Sequence, residues 1–347
     1  MVTIKEIARA VGVSPATVSR VLNYDQTLSI TAAKRQAIIE TAESLNYLTP
    51  RNRNRTASAT FVAPNGTARV ALVHSLKPIE ELADPYYVGV RLGIEHRSQA
   101  LRLDCTKVCL ADGMADPALL AGAAGIIAVG THRPEEVAWL QRMTRNLVFA
   151  DVCPPIESCD RVESDLGIAT DQLLDALFDL GYRRIAFIGG ADTRTGRLEP
   201  FAERRCAAYR AWMERRGLAD PALCRVGQIR FEDGYGLTAT MLDEGVRPEV
   251  VVAANDNMAI GAYRAIQERG LRIPDDIGVV GFNDIPAAQF LSPPLTTIRI
   301  HAERIGEIAV DLAGELIGGR DYYKKVVIST ELIWRDSCRS PVVAVTG

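Results

Sequence analysis

Hydrophobic residues recur at helical spacing from the start of the chain. Ile4, Ile7, Ala8 and Val11 mark one face of a first helix, which Gly12 ends as a C-cap. Ser14 then stands as an N-cap and Pro15 as a first helical residue, opening a second helix through Leu22. A third amphipathic stretch runs from about Ala32 to Leu45, with Ile38, Ile39, Ala42 and Leu45 on its inner face and Thr31 or Ser29 as its cap. From Tyr47 to about Thr67 the pattern gives way to Thr, Pro, Arg, Asn and Ser, the composition of a linker. After Arg69 the period changes. Short apolar strands at Val70–His74, Gly125–Val129, Leu147–Ala150, Ile185–Ile188, Val250–Ala253 and Ile277–Gly281 are separated by amphipathic helices, among them Gly89–Ala100, Ile168–Leu180, Arg204–Arg216 and Asn257–Arg269. Strands alternating with helices predict parallel, doubly wound sheets. Roughly 270 residues beyond the linker are enough for two such lobes in tandem.

Composition narrows the class. The chain has 347 residues, 48% hydrophobic and 24% charged, as in ordinary globular proteins of two or three units. No run of about 18 apolar residues predicts a membrane span. The start, Met1-Val2-Thr3-Ile4-Lys5, lacks a secretory stretch, so the cytoplasm is the expected location. The seven cysteines are odd in number, scattered and without a Cys-x-x-Cys pair, which suggests neither a disulfide framework nor a zinc site. They read as small buried hydrophobes kept reduced. Net charge is −3, yet the first 60 residues hold eight Lys/Arg against four Asp/Glu, and the remainder 32 against 39. A basic head on an acidic body is the asymmetry expected where one segment alone meets phosphate.

Two helices joined by a Gly-containing turn are what a helix-turn-helix needs, the second laying its N-terminal side chains in the major groove. Here those are Pro15, Ala16, Thr17 and Arg20; a generic three-helix bundle is the alternative. Catalytic signals are absent. Phe187-Ile188-Gly189-Gly190-Ala191 lacks dinucleotide-loop spacing, and neither a phosphate-binding P-loop nor a Gly-x-Ser-x-Gly elbow occurs. The four histidines, His74, His96, His132 and His301, have no metal-ligand spacing. No enzyme, cofactor or metal is therefore expected.

The run Val11-Gly12-Val13-Ser14-Pro15-Ala16-Thr17-Val18-Ser19-Arg20-Val21-Leu22-Asn23, with Ala42-Glu43-Ser44-Leu45-Asn46-Tyr47 after it, resembles the head of the lac-repressor (LacI) family. Asp84-Pro85-Tyr86-Tyr87, Asn255 to Ala262, Val280 to Asp284 and Pro293 to Ile298 extend the likeness over nearly the whole chain. Within the family it is similar to repressors of β-galactosidase operons through Leu22-Asn23, Asp25, Thr27-Leu28, Asp84-Pro85-Tyr86-Tyr87, Gly93-Ile94-Glu95, Asn283-Asp284-Ile285-Pro286 and Thr297 to His301. The resemblance implies an all-α helix-turn-helix head, residues 1–48, and a linker or hinge, 49–67. It implies a periplasmic-binding-protein-like α/β core of two doubly wound lobes over 68–336, and a tail, 337–347. The chain would cross between lobes three times, giving an N-lobe of about 68–162 and 299–324 and a C-lobe of about 163–298 and 325–336. Homodimers read near-palindromic operators in this family.

On the DNA side the resemblance points to Thr3, Ser14, Pro15, Ala16, Thr17, Ser19, Arg20 and Asn23, with Arg20 as the recognition arginine. A bidentate guanidinium on guanine is worth about 1–3 kcal/mol of discrimination. Pro15 and Ala16 offer only apolar contact, while Thr17, Ser19 and Asn23 suit phosphate or capping. The family's hinge leucine falls nine residues past the equivalent of Tyr47, where this chain has Thr56. Arg51, Arg53 and Arg55 are therefore expected to serve phosphate or a narrow minor groove rather than to flank a wedge.

On the ligand side Arg205 matches the family's effector arginine. Asn255, Asp256, Asn283 and Asp151 follow predicted strands at their carboxyl ends, where open α/β sheets bind ligands. Each also reads as a helix N-cap. Asn283 replaces an aspartate common in sugar-binding relatives. Tyr86 is the candidate from the opposite lobe and Phe231 a further one; Phe282 reads as core or rim, and Asp284 as structural. The expected function is a repressor released from its operator by a small sugar, a galactoside being favoured. The alternatives are a purine- or phosphosugar-responsive regulator of the same family, or a sugar-binding protein without a DNA role. The tail after Trp334-Arg335-Asp336 has no leucine heptad, so a dimer is expected; a stable tetramer in light scattering at micromolar concentration would refute it.

Overall fold

The computed structural model describes residues 4–22, 30–31, 34–38, 41, 68–110, 116–191 and 203–340. They fall in two compact units, residues 1–62 and 63–347.

In the head, α1 (Ile4–Val11) ends where Gly12 turns to φ +69°, a left-handed conformation that glycine adopts without strain. The Val13 N–H then returns to the Ala8 carbonyl at 3.0 Å. Ser14 caps α2 (Pro15–Leu22), its Oγ accepting the Thr17 N–H at 3.1 Å. Residues 34–38 are helical, with Thr31 Oγ1 accepting the Lys34 N–H at 3.4 Å. Ala8, Val18, Val21 and Ile38 make the buried centre, with Ile4, Val11, Val13 and Ile30 packed around it.

The second unit contains two six-stranded sheets. The N-lobe sheet is β1 (Arg69–His74), β2 (Asp104–Cys109), β3 (Gly125–Val129), β4 (Leu147–Ala150), β5 (Asp160–Ser164) and β11 (Lys325–Ile328), in the order β11-β5-β4-β3-β1-β2, all parallel. The C-lobe sheet is β6 (Ile185–Gly190), β7 (Cys224–Gly227), β8 (Val250–Ala253), β9 (Gly278–Asn283), β10 (Thr296–Arg299) and β12 (Glu331–Ile333), in the order β12-β10-β9-β8-β6-β7. Only β12 runs antiparallel to its neighbour. Parallel strands need crossovers, and helices supply them on both faces. Those used below are α3 (Pro78–Leu82), α4 (Pro85–Ala100), α5 (Pro117–Leu120), α6 (Pro134–Met143), α7 (Leu166–Asp179), α8 (Arg204–Arg215), α9 (Phe231–Asp243), α10 (Asp256–Gln267) and α11 (Ala302–Ile317).

The lobe boundaries differ from those read in the sequence. The first crossing follows Ser164, because Asp160–Ser164 pairs with β4 in the N-lobe. Lys325–Ile328 likewise belongs to the N-lobe, hydrogen-bonded in register to Arg161–Ser164, so the last crossing lies between Ile328 and Glu331 instead of before Lys325. Charged sequence hid β5. Its Asp160 is wholly buried, meeting the Arg320 guanidinium and accepting the Lys324 N–H at 2.8 Å.

Each lobe contains one helix pair in which backbone touches backbone. In the N-lobe, α4 crosses α11 at Gly93 and Gly306: a Cβ on Gly93 would lie 2.1 Å from the Glu303 carbonyl oxygen, and one on Gly306 2.1 Å from that of Val90. In the C-lobe, α9 crosses α10 at Gly234 and Gly261, where a Cβ would lie 2.2 Å from the Met258 and Phe231 carbonyl oxygens respectively. Gly236 on α9 has open space instead. Gly234→Ala and Gly93→Ala should therefore each cost about 1–3 kcal/mol through overpacking. Gly236→Ala should be neutral or gain about 0.5–1 kcal/mol from helix propensity. Urea unfolding of the three variants checks this, and equal stability of Gly234→Ala and Gly236→Ala would contradict the close crossing.

Candidate functional site

Between the lobes lies a cavity of about 810 Å³, inside the roughly 300–1,000 Å³ typical of small-molecule sites. Its walls come from strand ends and the turns that follow them: Ser75 after β1, Thr131 after β3, Asp151 after β4, Ser164 on β5, Gln228 after β7, Asn255 after β8 and Asn283 on β9.

Asp151 is the polar centre of the N-lobe wall. It takes a left-handed backbone, φ +76°, and its carboxylate accepts the Tyr86 hydroxyl at 2.6 Å and the Tyr87 hydroxyl at 3.0 Å. Burial pushes the Asp151 carboxyl above its ordinary range, although both hydroxyls and the Arg205 and Arg204 charges oppose it. The two phenols are pushed well up, first by burial and then by Asp151. Their rings meet edge to face with centroids 5.2 Å apart. Tyr86 and Tyr87 are aimed by the start of α4, where Asp84 caps the helix by accepting the Tyr86 N–H at 3.1 Å. Burial lifts the Asp84 carboxyl to about 6, with the Asp151 charge adding to the shift.

The C-lobe wall is built on α8. Glu203 caps this helix through the Arg205 and Cys206 N–H groups. Its other oxygen accepts Arg205 Nε at 2.9 Å, while Arg205 Nη1 donates to the Ala254 carbonyl. The guanidinium therefore sits clamped, 5.7 Å from the centre of the Phe282 ring, which is wholly buried and is core. Asn255 caps α10, accepting the Met258 N–H at 2.9 Å while also lining the cavity. Its structural and cleft-lining places coincide.

The cavity thus brings together Tyr86, Asp151, Arg205, Phe231, Asn255 and Asn283. Asp256 is a correction. It lies outside the wall and is fully buried in the C-lobe, its carboxylate accepting the Ile285 N–H at 2.8 Å and the Thr297 hydroxyl at 2.7 Å. Side chains of successive residues at a helix start diverge, and Asp256 turns inward where Asn255 turns to the cleft. Asp284 is structural, paired with Arg299 and Arg335 at 2.8 Å each.

Of the wall residues that the sequence reading does not single out, four bear most on the geometry. Tyr87 and Asp84 flank the Tyr86 candidate in the same Asp-Pro-Tyr-Tyr run, which was their available signal. Arg204 reaches across the cleft to within 2.8 Å of Glu163 in the N-lobe, an ion pair without a well-aligned hydrogen bond. Asn257 also spans the lobes, donating to the Ala83 carbonyl at 3.2 Å, while its Oδ1 is buried without a partner among the described residues. Nothing in the local sequence announces a contact between residues 174 positions apart. Among the described residues no cluster of His, Cys, Asp and Glu could hold a metal ion, and no helix is long and apolar enough to cross a membrane.

In the head, Val18 and Val21 bury one face of α2, and Pro15, Ala16 and Arg20 lie exposed on it with Thr17 and Ser19 half-exposed. Ser14 Oγ, besides capping, lies 2.9 Å from Thr17 Oγ1. Thr3, Asn23, Arg51, Arg53, Arg55 and Thr56 lie outside the described residues.

Residues 3–50 match the model of bacterial regulatory proteins of the lacI family, and residues 174–338 that of a periplasmic binding protein-like domain. The chain is 33% identical over its whole length, and that of its relative, to the transcriptional repressor MelR of Bacillus subtilis. Over 110 residues, 32% of this chain and 97% of the relative, it is 62% identical to the lactose operon repressor of Rhizobium radiobacter. A crystal structure of the lac repressor dimer bound to operator and the anti-inducer ONPF superposes with a TM-score of 0.68 at 26% identity, covering 97% of this chain and 98% of that one.

The raised Asp84 carboxyl has a defined pH signature. From its ordinary 3.8 to about 6 the folded chain holds a proton that the unfolded chain has lost. Its contribution to stability is full below that window and is lost as pH rises through it. Asp84→Asn keeps an acceptor for the Tyr86 N–H but removes the titration. Its stability relative to the parent should therefore climb from about pH 4 to about pH 6 and level off above. Urea unfolding of both proteins across this range measures the difference, and parallel curves would show that Asp84 titrates normally.

Proposed function

This chain belongs to the lacI family of bacterial regulatory proteins, and on that premise we propose that it is a cytoplasmic, homodimeric repressor that leaves a near-palindromic operator when a galactoside closes its cleft. It is a DNA-binding transcriptional regulator, and we assign it no catalytic step.

The observation that carries the ligand reading is the convergence, in one cavity between two lobes, of Asp151, Tyr86, Asn255, Asn283, Phe231 and a clamped Arg205. Fixed donors and acceptors next to an aromatic face suit a polyhydroxylated ring, with hydroxyls around its edge and C–H groups on its faces. The charge balance favours a neutral ligand. Arg205 is already engaged by Glu203, and Asp84 and Asp151 line the opposite wall. A phosphosugar would meet those carboxylates. The lactose operon repressor among the relatives supports the galactoside class.

Repression and release need two arrangements with different affinities for sugar and DNA. The Arg204–Glu163 ion pair and the Asn257–Ala83 hydrogen bond both join the lobes, so a ligand bridging the walls acts on the same separation that these contacts control. On the DNA side, Arg20 reads a base edge from exposed α2, and Arg51, Arg53 and Arg55 serve phosphate without a leucine wedge.

Thermal unfolding against lactose, galactose, other galactosides, glucosides, pentoses and purines tests the ligand. A ligand at 100 times its Kd stabilises the folded chain by about 2.7 kcal/mol. Galactosides should raise Tm selectively, and Arg205→Ala should abolish the rise. A rise with purines or phosphosugars alone would overturn the effector class while leaving the family untouched. For the head, Arg20→Ala should weaken operator binding by about 1–3 kcal/mol more than random-DNA binding. Equal losses would make Arg20 a phosphate contact.

A further inference from the structure

Cys206 and Cys224 are 18 residues apart, and no sequence motif links them. Folding does. Cys206 lies in the first turn of α8, fully buried in the C-lobe core, and Cys224 begins the edge strand β7, half-buried. Their sulfurs are 3.7 Å apart. Both flank elements that carry the cleft wall: Glu203, Arg204 and Arg205 adjoin Cys206, and β7 runs from Cys224 to Gly227 and Gln228.

We propose that Cys206 and Cys224 form an oxidative-modification site, which hydrogen peroxide converts into an intrachain disulfide tying the first turn of α8 to β7 behind the cleft wall.

The two thiols are not equivalent. The two sulfurs share one S–H···S contact, and that contact, with the Arg210 and Arg225 charges, holds the Cys224 thiol below its ordinary range. The same hydrogen bond, together with burial, drives the Cys206 thiol up. Cys224 is half-buried where Cys206 is fully buried, so it is the thiol that peroxide reaches first, and its thiolate is the nucleophile. Its sulfur attacks one peroxide oxygen, the O–O bond breaks, and the leaving hydroxide takes up a proton as water, leaving a sulfenic acid. The Cys206 sulfur then attacks the sulfenic sulfur, the S–O bond breaks, and the departing hydroxide combines with the Cys206 proton as a second water. Two thiols together lose two electrons, and one hydrogen peroxide is reduced to two waters. A disulfide requires sulfurs about 2.05 Å apart, against 3.7 Å here, and once closed it ties the start of α8 covalently to β7.

The test uses the full chain, reduced and then exposed to hydrogen peroxide, alkylated and digested without reductant. Mass spectrometry should find the peptides bearing Cys206 and Cys224 joined, the link disappearing on treatment with dithiothreitol. Cys224→Ser should remove the link, and Cys105→Ser with Cys109→Ser should leave it. In Cys206→Ser, which lacks the second thiol, Cys224 should accumulate as a sulfenic acid trapped by dimedone. Hydrogen exchange of the peroxide-treated parent should slow severalfold at residues 203–210 and 224–230 relative to the reduced protein, and remain unchanged in Cys224→Ser. Complete alkylation of both thiols after excess peroxide would overturn the site. A link without slowed exchange would overturn its hold on the wall. Neither readout involves a sugar, so the outcome is independent of the effector class.

Discussion

The cleft depends on the backbone hydrogen bonds of one short segment. Between Lys325 and Ile333 the chain adds β11 to the edge of one sheet and β12 to the edge of the other, with two residues between them. A parallel sheet directs all its strand ends the same way, so a lobe built on one has a single functional rim. Two lobes face their rims toward one another only if the connections between them are short and fixed. The three crossings, after Ser164, Arg299 and Ile328, supply that constraint. The polar groups of the cleft then follow from where the strands stop.

Given that frame, each wall is held by bonds behind it. Asp151 sits in a strained left-handed turn and gathers two tyrosine hydroxyls, while Glu203 caps α8 and fixes Arg205 with its two oxygens. Asn255 caps α10 as it lines the cavity. Capping and cavity lining are thus shared by the same side chains, so the helix starts and the cavity wall are ordered together.

Much of this was legible. The apolar strands and their alternation with helices were visible because central parallel strands are hydrophobic on both faces. The head's caps at Gly12 and Ser14 follow from local chemistry. What escaped was set by distance along the chain. Asp160 and Glu163 make β5 look like a loop, because the partners that neutralise them, Arg320, Lys325 and Arg204, lie 41 or more positions away. Asp256 was misplaced because a strand-end position identifies a rim residue but not the direction of its side chain. Asn257 and Arg204 belong to contacts between lobes, which no local pattern encodes.

The Glu163 carboxylate carries a kinetic consequence. Its side chain is only 3% exposed and touches Arg204 from the opposite lobe and Lys325 from its own. Separating the lobes removes the guanidinium from this carboxylate and leaves it the more distant ammonium. That cost falls on every opening of the cleft, whether a ligand is entering or leaving. The pair therefore acts on the rate of exchange in both directions, lengthening residence while slowing capture, and leaves the balance between bound and free to the contacts that the ligand itself makes.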